Sequence, residues 1–179
     1  NSLSGNRIMT INQDSDGNMW VGTIGTGLNF IDLAMKEITR YSEQDGLPNN
    51  VIYSALEDDD GNIWISTNYG LTRFDRNNRS FIKYDAKDGI QGNEFNGGAY
   101  YKNDEGEMYF GGMNGFNLFH PEEIKTNDVP PIMVITGFSI FNEPQPGPFL
   151  DGDTIVLRYS DNFFSIEFAA LEFTNPSKN

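Results

Sequence analysis

The composition of this 179-residue chain limits the classes of protein to which it can belong. Its formal net charge of −14 argues against binding of DNA, RNA or an anionic membrane surface through a broad basic patch. The sequence has no cysteine, so disulfides and thiolate metal sites are excluded. With 37% hydrophobic residues and 19 glycines, the chain can build a substantial core that is interrupted by many turns.

A stretch of eight residues occurs three times, as DGNMWVGT at 16–23, DGNIWIST at 60–67 and, more weakly, EGEMYFGG at 105–112. Trp20 and Trp64 are 44 residues apart (64 − 20), and Tyr109 follows Trp64 by 45 residues (109 − 64). A period of this length is typical of a four-stranded propeller blade, whereas most leucine-rich and helical repeats are shorter.

Each repeat has room for four strands and for no helix. In the second repeat, β-rich runs at 51–57, 63–67, 71–75 and 80–84 are separated by turn signals. The sequence therefore predicts an all-β chain that opens with three four-stranded β-propeller blades, at about 1–43, 44–86 and 87–125. In these blades Trp20, Trp64 and Tyr109 would fill the wedge between neighbours.

The sequence after the third repeat predicts a second domain. A polar, proline-bearing segment at 120–131 is typical of a domain boundary. Beyond it, 132–141 is predicted as a strand pair or one bent strand, and 154–158 as a further strand. Phe164, Ile166 and Phe168 alternate in a last one. Residues 126–179 are thus predicted to be a truncated immunoglobulin-like β-sandwich, with about four of the roughly seven strands of that fold.

Several motifs that could indicate a metal or nucleotide site favour turns instead. The stretches 14–18 and 58–62 resemble calcium loops, but the position that an EF-hand gives to glycine holds Met19 or Ile63. The glycine-rich stretch 22–27 precedes a strand instead of a phosphate-binding helix. His120 is the single histidine and has no second histidine or cysteine beside it. We expect no metal site, no cofactor and no catalytic residue.

One face of the predicted propeller carries the candidate ligand-binding residues. In a four-stranded meander, the second turn of each blade and the crossover to the next blade leave from the same face. The candidate residues on this face are Asn50, Asn68, Tyr69, Asn93 and Asn114. Amides pair with hydroxyl groups and an aromatic ring packs on the C–H face of a sugar, so the set favours a neutral oligosaccharide. The alternative is that each residue only forms its turn.

The repeats and the segment after them resemble a known family. The stretch DGLPNNVIYSALEDDDGNIW at 45–64 resembles the regulator-propeller repeats of hybrid two-component sensor histidine kinases of Bacteroides-type bacteria. Residues 94–124 look like the last blade of such a propeller, and 130–179 like the opening of the tyrosine-rich sandwich domain that follows it.

The resemblance implies a periplasmic region of an inner-membrane receptor that detects an oligosaccharide and signals across the membrane. The kinase part lies outside this sequence, so the resemblance implies no enzymatic activity for this stretch. Two other functions stay open. One is a propeller scaffold that binds proteins. The other is a propeller polysaccharide lyase or glycosidase, which would need converging carboxylates, or a tyrosine or histidine base, in its channel.

Three blades are too few to close a propeller, because such rings usually need at least four. The sequence therefore predicts exposed apolar faces that promote self-association or pairing with the remaining blades of the same receptor. These faces are expected around Ile8, Ile11 and Trp20 in the first blade and around Tyr100, Tyr101 and Phe110 in the third.

Overall fold

A computed structural model describes residues 2–124, 132–147, 149, 152 and 154–171 of the chain. The described regular elements are β-strands and three-residue 3-10 turns, which confirms the predicted all-β fold. None of these elements is a helix of the length and apolarity needed to cross a membrane. The chain divides into two compact units, Asn1–Lys125 and Thr126–Asn179.

The first unit begins with two four-stranded antiparallel sheets in which each strand pairs with the next along the chain. The strands of the first blade are β1 (Ile8–Gln13), β2 (Met19–Thr23), β3 (Leu28–Asp32) and β4 (Glu37–Tyr41). Those of the second blade are β5 (Ile52–Glu57), β6 (Ile63–Thr67), β7 (Gly70–Asp75) and β8 (Ser80–Tyr84). This is the meander that the 44-residue period predicts.

The third blade has three strands among the described residues: β9 (Phe95–Lys102), β10 (Met108–Gly112) and β11 (Gly115–Phe119). After β11 the chain forms a 3-10 turn at Pro121–Glu123. The fourth strand predicted for this blade is not among the described residues, and residues 125–131 lie outside them.

The hairpin between β5 and β6 is organised by the carboxylate of Asp58. It accepts hydrogen bonds from the backbone N–H groups of Asp60 (3.0 Å) and Asn62 (2.8 Å). Gly61 takes a φ of 82° in the same turn, a conformation that side chains rarely adopt. The second carboxylate oxygen accepts the indole N–H of Trp64 at 2.9 Å. One buried side chain therefore both shapes the turn and anchors the blade aromatic.

The two tryptophans lie between adjacent blades. Trp20 is 2% exposed, and its ring centroid is 4.6 Å from that of Phe30 in its own blade and 5.8 Å from that of Phe74 in the second. Trp64 is 1% exposed and likewise contacts Tyr84 in its own blade and Phe119 in the third, at 5.4 and 4.8 Å. These rings join one blade to the next.

Tyr109 occupies the same register position in the third blade but has different surroundings. It is half-buried, and its ring contacts are with Tyr101 and Phe116 of its own blade, at 6.0 and 6.3 Å. Among the described residues of the first unit, Tyr109 thus does not connect two blades in the way that was predicted for it.

The open faces of the outer blades are apolar, although two of the residues predicted there lie elsewhere. Ile11 and Tyr101 are 58% and 62% exposed. The predicted exposure of Trp20 and Phe110 is wrong, since Phe110 is fully buried and packs in one cluster with Trp64. Both side chains pack with residues of the second blade. Their neighbours along the strand face the other way, because successive residues of a strand face opposite sides of the sheet.

The second unit contains a three-stranded sheet in the order β13, β12, β14. Its strands are β12 (Ile132–Ile140), β13 (Glu143–Pro144) and β14 (Phe164–Leu171). The register shifts between Ile135 and Gly137, so β12 is one strand with an irregularity. Apolar side chains are exposed on this sheet, including Ile132 of β12 at 69% and Phe168 of β14 at 66%.

The strand predicted at 154–158 is wrong. These residues form no ladder, and Val156 is 87% exposed. A turn follows in which Asp161 accepts hydrogen bonds from the backbone N–H of Arg158 (3.0 Å) and its Nε (3.2 Å). A β-rich run becomes a strand only where a neighbouring strand is available to pair with it, and no described segment pairs with this one.

Replacing Trp64 by alanine should lower the free energy of unfolding by about 3–5 kcal/mol, the usual range for a large aromatic removed from a core. Chemical denaturation of the intact chain, followed by circular dichroism, measures this loss. Tyr109→Ala is the matched control, because it removes the aromatic at the same repeat position from a half-buried site. Equal losses for the two variants would contradict the assignment of Trp64 as the residue that joins two blades.

Candidate functional site

The second turns and the crossovers of the blades are joined by main-chain hydrogen bonds at one end of the unit. The N–H groups of Gly25 and Gly27 donate to the carbonyl oxygen of Asn50 at 3.0 and 2.9 Å. In the next blade, Gly70 donates to the carbonyl of Asn93 at 2.6 Å. We call this end the crossover face, formed by residues 24–27, 42–51, 68–69, 85–94 and 113–114.

Asn50 and Asn93 hold the crossovers in place. The side-chain oxygen of Asn50 accepts the backbone N–H of Glu43 at 2.9 Å, and that of Asn93 accepts the N–H of Ala86 at 2.8 Å. Glu43 and Ala86 each begin a 3-10 turn that is closed by a capping box. The two asparagines therefore have the same structural task in successive repeats, and their amide oxygens are already engaged.

The other three candidates lie at turn tips and are exposed. The Tyr69 side chain is 59% exposed, and its backbone N–H donates to Thr67 Oγ1 at 2.9 Å. Asn114 is anchored through its backbone N–H, which donates to Gln91 Oε1 at 2.8 Å. Their side chains are thus presented by fixed backbone, as a preformed site requires. The crossover face brings them to one end of the unit together with Asn50 and Asn93.

Tyr53 was not singled out by the sequence, yet it supports the candidate residue Asn68. Its hydroxyl donates to Asn68 Oδ1 at 3.1 Å. Tyr53 lies in β5 and looks like an ordinary strand aromatic. The repeat is the sequence signal that could have found Tyr53, since Tyr53 lies 44 residues (53 − 9) after Met9. In the structure, both residues lie at irregular positions of their ladders.

The opposite end, where the acidic hairpins gather, is held together by charge pairs between blades. Arg76, from the turn after β7, lies 2.9 Å from a carboxylate oxygen of Asp16, 3.0 Å from one of Glu57 and 3.6 Å from one of Asp14. Glu57 also accepts hydrogen bonds from the backbone and hydroxyl of Ser15, at 2.6 and 3.1 Å. These carboxylates are therefore engaged in joining the first blade to the second.

Lys102 makes the corresponding connection from the third blade to the second. Its ammonium group donates to Asp59 Oδ1 at 2.7 Å and to the carbonyl oxygen of Glu57 at 3.0 Å. His120 Nε2 lies 3.7 Å from Glu107 Oε1. Among the residues that the structure describes, no three histidine or acidic side chains are arranged to hold a metal ion.

The tyrosines with shifted pKa values are not tuned for general-base chemistry. Burial raises the pKa of Tyr41 and of Tyr84. The hydroxyl of Tyr109 donates to Glu107 Oε2 at 2.9 Å, and this hydrogen bond raises the pKa of Tyr109. A tyrosine base needs a lowered pKa, so none of these three side chains is prepared to remove a proton near neutral pH.

Comparisons with known proteins agree with this architecture. Residues 2–25 and 46–69 match the family described as two component regulator propeller. Histidine kinase P4 of Formosa agariphila is 33% identical over 149 residues, which cover 76% of this chain and 11% of the kinase.

Two solved structures are similar to parts of this chain. The extracellular domain of a hybrid two component system from B. thetaiotaomicron is 24% identical with a TM-score of 0.52, over 94% of this chain and 30% of that one. Virginiamycin B lyase from Staphylococcus aureus is 14% identical with a TM-score of 0.48, over 72% of this chain and 45% of that one.

The repeated segments at 2–25 and 46–69 are thus two component regulator propeller repeats. The resemblance to hybrid two-component sensor kinases that the sequence predicted is confirmed. The likeness to the B. thetaiotaomicron domain supports the propeller fold of this chain. The chain spans 11% of the length of the curated kinase that it matches.

Replacing Arg76 by methionine should lower the free energy of unfolding by about 1–3 kcal/mol, because it leaves the buried carboxylate of Asp14 and the largely buried one of Glu57 without their cation. Lys102→Met is the matched control. Its partner Asp59 is 78% exposed, so that loss should stay within about 1 kcal/mol. Denaturation at low and at moderate ionic strength measures both losses. A smaller loss for Arg76→Met than for Lys102→Met would contradict this ranking.

Proposed function

We propose that this chain is part of the periplasmic sensor region of a membrane-anchored two-component histidine kinase and that it detects a neutral oligosaccharide. The regulator-propeller repeats and the 33% identity to histidine kinase P4 support the receptor class. The periplasmic location is supported by the extracellular origin of the B. thetaiotaomicron domain that shares the fold. In this proposal the signal passes from the propeller toward the inner membrane, and this chain performs no catalysis itself.

The observation that carries the ligand class is the chemistry of the turn tips on the crossover face. Asn68, Tyr69 and Asn114 are exposed and uncharged there. A carboxamide can both donate to and accept from a hydroxyl group, and a tyrosine ring offers a flat apolar surface. This combination suits a neutral sugar better than it suits an anion, which would require a positive charge at the same place.

The crossover face also offers a route from ligand to blade packing. The carbonyl of Asn50 receives hydrogen bonds from the second turn of the first blade, and its side chain fixes the crossover to the second. A ligand that contacts these turns would therefore act on the junction between two blades. It shifts the equilibrium between two arrangements only by its difference in affinity for them.

A second candidate function is a scaffold that binds protein, and one observation favours it. Large apolar side chains are exposed on the third blade, among them Tyr101 at 62%, Phe116 at 64% and Met113 at 65%. Surfaces of this kind commonly mark a contact with another protein. In the same proposal they would pack on other blades of the receptor or on a second copy of the chain.

Isothermal titration of the intact chain against a panel of neutral and anionic oligosaccharides tests the proposed function. At least one neutral member should bind, and Tyr69→Ala combined with Asn68→Ala should weaken that binding about tenfold. Asn50 is not a suitable probe, because its side chain holds a crossover. Tyr101→Ala, which removes an equally exposed tyrosine from the third blade, is the control and should leave affinity unchanged.

The melting temperature of the double variant should stay close to that of the parent chain, since both side chains lie at exposed turn tips. Failure of every neutral sugar to bind would overturn the proposal of an oligosaccharide sensor. Tight binding of the double variant would move the sugar site away from these turns.

A further inference from the structure

The innermost strand of every blade is irregular at the same level. In β1, Met9 has no partner between the pairs Ile8–Thr23 and Thr10–Gly22. In β5, Tyr53 has none between Ile52–Thr67 and Ser54–Ser66. In β9, residues 96–99 face the single residue Gly111. Bulges of this kind bend a strand and redirect a side chain, and they are enriched beside functional sites.

The three irregularities meet in space. A Cβ atom built on Gly97 would lie 2.9 Å from Cε of Met9 and 3.6 Å from Cδ1 of Tyr53. Residues from three different blades therefore converge at one point, toward the crossover end of their strands. Gly98, next in the chain, is exposed and has a φ of 76°, so a side chain there would be strained as well as space-filling.

A polar network lies next to this point, toward the hairpin end of the strands. The hydroxyl groups of Thr10 and Tyr100 are 2.9 Å apart and link the first blade to the third. Asn12 donates to the same threonine oxygen at 2.8 Å. Side-chain hydrogen bonds thus connect the inner strands on the hairpin side of the bulges. Met9 (37% exposed), Gly97 and Gly98 remain accessible on the crossover side.

The bulges are connected to the candidate ligand face. The Tyr53 hydroxyl donates to Asn68 Oδ1, and Asn68 adjoins Tyr69 at the tip of the same turn. The bulge residues themselves carry no charge, being Met9, Tyr53, Asn96, Gly97, Gly98 and Ala99. An aromatic ring, a thioether, an amide and bare glycine backbone are suited to contact a sugar ring through C–H groups and hydroxyls.

We propose that the three bulges form a subsite for one ring of a neutral oligosaccharide, at the place where the inner strands open onto the crossover face. Tyr53 supplies its aromatic wall, and Met9 lies beside Tyr53 against Gly97. The room for the ring is at Gly98, where a Cβ atom would meet nothing within 4 Å. This inference rests on the proposed sugar-sensing function and assigns it residues that the turn tips alone do not include.

The test uses the neutral oligosaccharide that binds most tightly in the calorimetric panel, with the intact chain carrying methyl-labelled methionine. The chain has 6 methionines, and the Met9 signal is assigned by its loss in Met9→Leu. On titration the Met9 methyl signal should shift and saturate with the dissociation constant found by calorimetry. The Met35 methyl group, 72% exposed in the turn between β3 and β4, should not move.

Two variants give an independent readout. Tyr53→Leu removes the ring and should weaken binding about tenfold. Tyr53→Phe keeps the ring and should retain most of the affinity. The controls are Tyr109→Leu and Tyr109→Phe, which alter a half-buried tyrosine whose hydroxyl is also hydrogen-bonded, and they should bind like the parent chain.

The outcomes separate the two proposals. If no neutral sugar binds, the sensing function and the subsite are both overturned. If a sugar binds while the Met9 methyl signal stays fixed at saturation, the subsite is overturned and the sensing function stands. Should Tyr53→Leu fail to fold, the Met9 signal of the parent chain still decides the question. Binding by a folded Tyr53→Leu within twofold of the parent would likewise exclude Tyr53 as a wall of the site.

Discussion

The hydrogen bond between a buried carboxylate and the indole of a blade tryptophan is the interaction on which the first two blades depend. Asp14 accepts from Trp20 Nε1 at 3.0 Å, and Asp58 accepts from Trp64 Nε1 at 2.9 Å. Because the same carboxylates accept backbone N–H groups of the hairpin, turn geometry and ring orientation are fixed together. The ring can then pack on the next blade without leaving a buried donor unsatisfied. This explains why the turn and the tryptophan recur as one motif.

In the third blade, one residue shapes the hairpin and a different residue binds the aromatic side chain. Asn103 stands where the other repeats have aspartate, and its side-chain oxygen still accepts the backbone N–H of Glu107 at 2.9 Å. The aromatic at this position is Tyr109, whose hydroxyl donates to Glu107 at 2.9 Å. Asn103 Nδ2 donates to the same carboxylate oxygen at 2.7 Å. The hairpin is therefore preserved, while the ring contacts only rings of its own blade among those described.

What the sequence could predict was local or periodic. The hairpins follow from Asp-Gly pairs, and the blades follow from the 44-residue period, so the positions of β5 to β8 agree with prediction. Neighbours distant in sequence determine on which side of the sheet Trp20 and Phe110 lie. They also determine whether residues 154–158 form a strand. The sequence could not predict for the same reason that Asn50 joins two turns. The N–H groups that donate to its carbonyl oxygen belong to Gly25 and Gly27, in another turn.

The two ends of the blades are stabilised in different ways, and this difference determines where a ligand could act. At the hairpin end, side-chain charges join the blades, so Arg76 and Lys102 are already occupied. At the crossover end, main-chain bonds to Asn50 and Asn93 join the turns, which leaves Tyr69 and Asn114 free to contact another molecule. A ligand that touches turns from the second and third blades at once would favour one spacing of those blades. Trp64 of the second blade and Phe119 of the third are in contact. How far binding can shift the arrangement would depend on the ligand's difference in affinity for the two spacings, compared with the free energy of this contact.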